Sequence, residues 1–86
     1  MRKILIAEDE DVIRDFVVIN MRRAGYEVTE VATGEGALEA FKASDGDFDI
    51  VLLDVMMPGL DGFEVCKQIR AISGSVGIIM LSARTQ

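Results

Sequence analysis

Acidic residues directly follow two of the most apolar segments of the chain, and a serine follows a third. Glu8 and Asp9 come after the segment ILIA, Asp54 comes after IVLL, and Ser82 comes after IIML. If these segments are strands of one parallel sheet, their carboxyl ends meet at one edge and the four side chains converge. Three carboxylates that lie within several ångströms repel one another, so either one stays protonated or a cation neutralises them.

The chemistry open to such a cluster is narrow. The chain contains no histidine, which excludes His-dependent nucleophilic pairs, His-ligated zinc and an imidazole base. With only oxygen ligands available the expected cation is hard, and Mg²⁺ is the usual solution. A carboxylate can also accept a phosphoryl group when a metal and hydrogen-bond donors balance the charge. Ser82 offers one such donor.

Each of these residues alone also fits an ordinary structural role. The acids from Glu8 to Asp11 could be a solvated helix start, Asp54 a turn residue and Ser82 a loop hydroxyl. Their common position at predicted strand ends favours a function for the acids, whereas Ser82 depends on further context.

Length and composition indicate one globular domain over residues 1–86. Half of the residues are apolar and 28% are charged, which is typical of a globular chain. The net charge of −6 argues against non-specific binding to DNA or to anionic membranes. There is no apolar run of membrane-spanning length and no secretory segment, and Cys66 is the single cysteine. These features predict a cytoplasmic protein without internal disulfides.

The elements that must position the acids alternate regularly along the chain. The four strands are predicted at 4–7, 27–32, 50–53 and 78–81, and the first, third and fourth are apolar throughout. A helix from Asp11 to the stop at Gly25 has the apolar residues Ile13, Phe16, Val17, Met21 and Ala24 at helical spacing. A second helix follows the cap Thr33 and buries Ala37, Leu38 and Phe41.

The third helix carries the clearest start signal. Asp61 and Glu64 have the spacing of a capping box. Its inward stripe is predicted to continue through Cys66, Ile69 and Ile72, before Ser73-Gly74 ends it. The order β-α-β-α-β-α-β predicts an α/β fold, a doubly wound parallel sheet with helices on both faces.

Three motifs give the chain a family resemblance. The segments ILIAEDED, LLDVMMPGLDG and IIMLSAR resemble the receiver domain of two-component response regulators, in the same order and on the same elements. The second motif is the most specific, because an acid, a proline four residues later and a closing Asp-Gly rarely coincide. The resemblance implies a flavodoxin-like sheet with strand order 2-1-3-4.

The resemblance also implies residue roles. Asp54 would take a phosphoryl group from a histidine kinase, and Glu8, Asp9, Asp54 and the backbone carbonyl of Met56 would hold Mg²⁺. Ser82 would contact the phosphoryl oxygens and shift on activation. Glu8 stands where the family more commonly has an aspartate. A signalling role without enzymatic turnover is expected, with transcription regulated by a DNA-binding output domain outside this chain.

Receivers continue with a further helix, a strand that bears a lysine, and a last helix, so the resemblance implies a C-terminally incomplete domain. An open edge at the fourth strand then predicts self-association or segment exchange. Two alternatives stay open. One is a receiver-fold interaction module that is not phosphorylated. The other is an aspartate-nucleophile phosphohydrolase, for which Met56 occupies the position of the expected second acid.

Overall fold

The computed structural model describes residues 2–81, in which strands and helices alternate. The seven elements are β1 (Lys3–Ala7), α1 (Asp11–Arg23), β2 (Glu27–Val31), α2 (Gly34–Ala43), β3 (Ile50–Asp54), α3 (Gly62–Ile72) and β4 (Gly77–Leu81). The predicted element order is therefore confirmed, and the strand bounds differ from the predicted ones by one residue at most.

The four strands form one parallel sheet in the order β2-β1-β3-β4. This confirms the doubly wound fold and the strand order that the family resemblance implies. The two central strands pair directly, with Ala7 opposite Leu53. The strand order reverses beside β1, and in sheets of this kind such a switch point opens a crevice at the carboxyl ends of the strands.

Helices cover both faces of the sheet, which explains why β1 and β3 are apolar throughout. On one face, Leu5 and Leu53 lie in a buried cluster with the α2 residue Phe41 and the α3 residue Ile69. On the other face, Ile4, Ile6 and Leu52 pack with Val18 of α1. A strand between two such layers has no polar face, so its sequence shows no alternation.

Three predicted core positions, Phe16, Ala24 and Ile72, are wrong. Phe16 is 68% exposed, Ala24 is also exposed, and Val18 is the fully buried residue of α1. Apolar residues occupy more than half of the circumference of α1, so helical spacing allows more than one inward stripe. Ile72 is also exposed, because it is the last residue of α3.

The predicted caps fix where α2 and α3 begin. The Thr33 hydroxyl accepts a hydrogen bond from the Gly36 amide at 2.9 Å, and an Asp61 carboxylate oxygen accepts one from the Glu64 amide at 2.9 Å. The Glu64 carboxylate accepts from the Gln68 side chain instead of closing the predicted capping box. Within residues 2–81, none of the helices has both the length and the apolar character needed to cross a bilayer.

Candidate functional site

The three predicted acids converge at the carboxyl ends of the central strands. One carboxylate oxygen each from Glu8, Asp9 and Asp54 lies within 4.8 Å of the corresponding oxygens of the other two. Pairing of Ala7 with Leu53 brings the next residue of each strand, Glu8 and Asp54, to the same level of the sheet. The convergence therefore follows from the register of β1 against β3.

Glu8 is held in an unusual environment for a carboxylate. It is 1% exposed, and its Oε2 accepts a hydrogen bond from the Glu10 amide at 3.1 Å. Its Oε1 is buried without a hydrogen-bond partner among residues 2–81. Burial raises the pKa of Glu8 to about 7, the Glu10 hydrogen bond opposes this shift, and the charge of Asp54 adds to it. An anionic Glu8 therefore lacks the stabilising contacts that a cation would supply.

Asp54 ends β3 and is 4% exposed. Its Oδ1 lies 3.4 Å from the amide nitrogen of Met56, which donates a long hydrogen bond to it. The backbone that follows Asp54 is fixed to β4, because the Val55 amide donates to the Leu81 carbonyl at 3.0 Å. Asp54 thus presents a carboxylate from a rigid strand end.

The loop from β3 to α3 packs backbone against backbone, and two glycines make this possible. A Cβ on Gly62 would lie 2.4 Å from the Asp54 carbonyl oxygen, and one on Gly34 would lie 2.4 Å from the Leu60 carbonyl oxygen. Any side chain at these positions would displace the loop. Gly62 is therefore needed for the position of Asp54.

The predicted roles of two other site residues, Met56 and Ser82, stay predictions. Met56 is an exposed loop residue two positions after Asp54, and the use of its carbonyl as a metal ligand stays a prediction. Ser82 lies outside the described residues 2–81, so its contact with a phosphoryl group also stays a prediction.

Sequence reasoning missed Arg14, which lies behind the acidic loop. Its Nη1 donates a hydrogen bond to the Glu8 carbonyl at 2.8 Å, and its guanidinium also pairs with Asp11 and Glu30. A basic residue in the first half of a helix gives no signal of such a role. Only the Asp11–Arg14 spacing of three residues could have indicated a local ion pair.

The residues of the acidic cluster fit a hard cation. The donor set consists only of carboxylate oxygens, and the buried Oε1 of Glu8 is an acceptor that residues 2–81 leave unsatisfied. Hard divalent cations prefer oxygen ligands, and Mg²⁺ is commonly bound by one or two carboxylates together with phosphate oxygens. The site is thus suited to a hard divalent cation such as Mg²⁺.

Together, the fold and the acidic cluster define a doubly wound α/β protein with a carboxylate site at its switch point. Residues 4–86 match the family model of the response regulator receiver domain. The chain belongs to this receiver domain family.

Among its relatives, the sensory transduction protein RegX3 of Mycolicibacterium smegmatis is 48% identical over 98% of this chain and 36% of its own length. The transcriptional regulatory protein CseB of Streptomyces avermitilis is 49% identical over 94% of this chain and 33% of its own length. The chain therefore spans about a third of the length of the curated relatives it matches.

A solved structure of the response regulator TrrA from Thermotoga maritima, in complex with Mg²⁺-BeF, superposes with a TM-score of 0.91 at 38% identity. The match covers 99% of this chain and 72% of that one. TrrA in complex with the histidine kinase ThkA superposes with a TM-score of 0.89 at 37% identity, and covers 100% of this chain and 72% of that one.

Proposed function

We propose that Asp54 accepts a phosphoryl group from a histidine kinase in an Mg²⁺-dependent reaction, and that the resulting aspartyl phosphate is the signal. The observation that carries this proposal is the convergence of three carboxylates, two of them buried, at the carboxyl ends of β1 and β3. Burying carboxylates with so few hydrogen-bond partners costs folding free energy, and such clusters are typical of functional sites.

In the proposed reaction, an Asp54 carboxylate oxygen attacks the phosphorus of a phosphohistidine. The new O–P bond forms as the N–P bond breaks, and the imidazole nitrogen leaves with the electron pair and takes a proton. The rigid end of β3 and the tight contact with Gly62 hold the attacking carboxylate in place. Positioning of this kind is a large part of phosphoryl-transfer catalysis.

Glu8 and Asp9, together with Asp54 and the Met56 carbonyl, would hold the cation. Bound Mg²⁺ would neutralise the negative charge of the carboxylates and of the incoming phosphoryl oxygens. In support, the related TrrA was solved in complex with Mg²⁺-BeF. Ser82 is proposed as the hydroxyl that donates to a phosphoryl oxygen.

The test is the intact mass of the chain after incubation with a small-molecule phosphodonor, with and without Mg²⁺. The native chain should gain one phosphoryl group only with Mg²⁺, and Asp54→Asn should gain none. Asp15→Asn is the matched control, because Asp15 is an exposed acid of α1 outside the cluster. It should be phosphorylated like the native chain.

The alternatives predict different results. An unphosphorylated interaction module predicts no adduct on a folded chain and no response to Mg²⁺. A phosphohydrolase predicts multiple turnover of a phosphoester. The exposed, apolar Met56 stands where that reaction would need a general acid, so slow or absent turnover is expected.

The proposed partner is a histidine kinase, by analogy with the kinase ThkA that was solved in complex with TrrA. The proposed output is regulation of transcription through a DNA-binding region of the parent protein, because relatives of this chain are named transcriptional regulatory proteins. The proposed location is the cytoplasm. A kinase phosphorylated at its histidine should transfer its label to the native chain and not to Asp54→Asn.

Self-association of this chain also stays a proposal. β4 is the last strand on its side of the described sheet, and its residue Ile79 is about half exposed. Exposed strand edges favour pairing with another chain. Light scattering at micromolar concentration should give a mass above that of the monomer, and a monomer mass would contradict the proposal.

A further inference from the structure

We propose that Arg14 is a positioning residue that holds the acidic loop in the geometry needed to bind a cation. This inference rests on the proposed function, because it concerns the same acidic cluster. Arg14 lies on α1, outside the cluster, and touches the backbone of Glu8 rather than its carboxylate.

The guanidinium of Arg14 connects three separate parts of the fold. Its Nη1 donates to the Glu8 carbonyl at the end of β1, its Nη2 pairs with Asp11 in the first turn of α1, and its Nε donates to Glu30 on β2 at 3.3 Å. Its side chain is only 15% exposed. A planar group with several fixed donors can satisfy three such acceptors together, whereas an ammonium on a flexible stem cannot do so in the same geometry.

These contacts complete the restraint of Glu8. The Glu8 amide donates to the Val31 carbonyl at 3.2 Å, and the Arg14 bond fixes the Glu8 carbonyl at 2.8 Å. With both backbone groups held, the Glu8 side chain accepts from the Glu10 amide through Oε2 and keeps Oε1 without a partner among residues 2–81. Arg14 thus determines where the free oxygen of Glu8 lies relative to Asp54.

The charge of Arg14 and its positioning role predict opposite effects of its removal on metal affinity. Arg14 carries a positive charge near the cluster, and removing it should strengthen cation binding if only charge mattered. If Arg14 positions the loop, removing it should weaken cation binding, because residues behind metal ligands commonly support affinity by about 10- to 100-fold. The sign of the change therefore separates the two roles.

Arg22 provides a matched control on the same helix. Its Nη2 lies 3.8 Å from the Glu30 carboxylate, and its side chain is 59% exposed. Arg22→Gln and Arg14→Gln remove the same charge and one contact with the same glutamate. Only Arg14→Gln also removes the bond to the Glu8 carbonyl.

The first measurement is Mg²⁺ affinity by titration calorimetry of the folded variants. Arg14→Gln should bind Mg²⁺ about tenfold more weakly than the native chain, and Arg22→Gln should bind with the native affinity or slightly more tightly. Arg14→Lys keeps the charge and should still lose about threefold, because one ammonium cannot reproduce the three contacts. Arg14→Lys also serves if Arg14→Gln fails to fold. Native affinity in the folded Arg14 variants would overturn the proposal.

The second measurement needs no metal. Hydrogen exchange of the Glu8 and Glu10 amides, followed by NMR in the presence of a chelator, should be about tenfold faster in Arg14→Lys than in Arg22→Gln. Equal exchange in the two variants would overturn the positioning role. If the native chain failed to bind Mg²⁺, the proposed function would fail, and this exchange comparison would still decide the role of Arg14.

Discussion

Replacing Glu8 with glutamine should remove a pH dependence from the stability of the metal-free chain. Burial raises the pKa of Glu8 from 4.5 to about 7 in the folded chain, whereas in the unfolded chain the carboxyl ionises near its ordinary value. Between these two values only the folded state keeps the proton. The free energy of unfolding of the native chain should therefore fall as the pH rises through this window.

The magnitude follows from the size of the shift. A change from 4.5 to about 7 corresponds to about 3 kcal/mol if the whole shift acts on stability. Solvent near the loop screens part of this interaction, so we expect about 1 to 2 kcal/mol. Glutamine cannot ionise, and its carbonyl can still accept the hydrogen bond from Glu10. Glu8→Gln should therefore be more stable than the native chain by this amount at about pH 8 and nearly equal to it at about pH 4.

Urea unfolding followed by circular dichroism, in a chelator and across this pH range, measures the effect. The control is Glu39→Gln, which changes an exposed acid of α2 and should leave the pH dependence as in the native chain. If the native chain and Glu8→Gln gave parallel stability curves from pH 4 to pH 8, within about 0.5 kcal/mol, burial would not be raising the pKa of Glu8 and the reasoning would be wrong.

Three further predictions concern the same region. Gly62→Ala should lower the free energy of unfolding by about 1 to 3 kcal/mol, because the added Cβ would meet the Asp54 carbonyl oxygen. Gly74→Ala is the control, because Gly74 has open space around it, and it should change the free energy of unfolding in urea little. Equal losses of stability in the two variants would contradict the prediction for Gly62. Asp61→Ala should lower the free energy of unfolding by about 1 kcal/mol, because α3 loses its N-cap. Asp61→Asn should keep most of the native stability in thermal unfolding, because asparagine also caps helices well. Mg²⁺ at about 100 times its dissociation constant should stabilise the native chain by about 2.7 kcal/mol, and a full effect in Asp54→Asn would contradict the assigned site.

The sequence was enough to predict the sheet and the meeting of the acids. The segments before Glu8 and Asp54 are apolar throughout and end abruptly at a charge, which is typical of parallel strands buried on both faces. Because the carboxyl ends of such strands share one edge of a sheet, the convergence needed no knowledge of side-chain contacts. The strand order came from the family resemblance.

Contacts that depend on several elements at once could not be predicted. The apolar residues of α1 allow more than one inward stripe, and the choice of Val18 over Phe16 depends on how the helix lies across the sheet. The role of Arg14 depends on acceptors from β1, α1 and β2 together. No local spacing in the sequence indicates a contact of this kind.

The structure explains why stability and cation binding should oppose each other at this site. Ionised Glu8 destabilises the fold because it is buried and its Oε1 has no hydrogen-bond partner within residues 2–81. A cation would require that same free oxygen as a ligand. Satisfying that oxygen within the protein would stabilise the metal-free fold and remove a ligand. Glu8→Gln should therefore gain stability in a chelator and lose Mg²⁺ affinity. A variant that gained both would show that Glu8 is not part of the cation site.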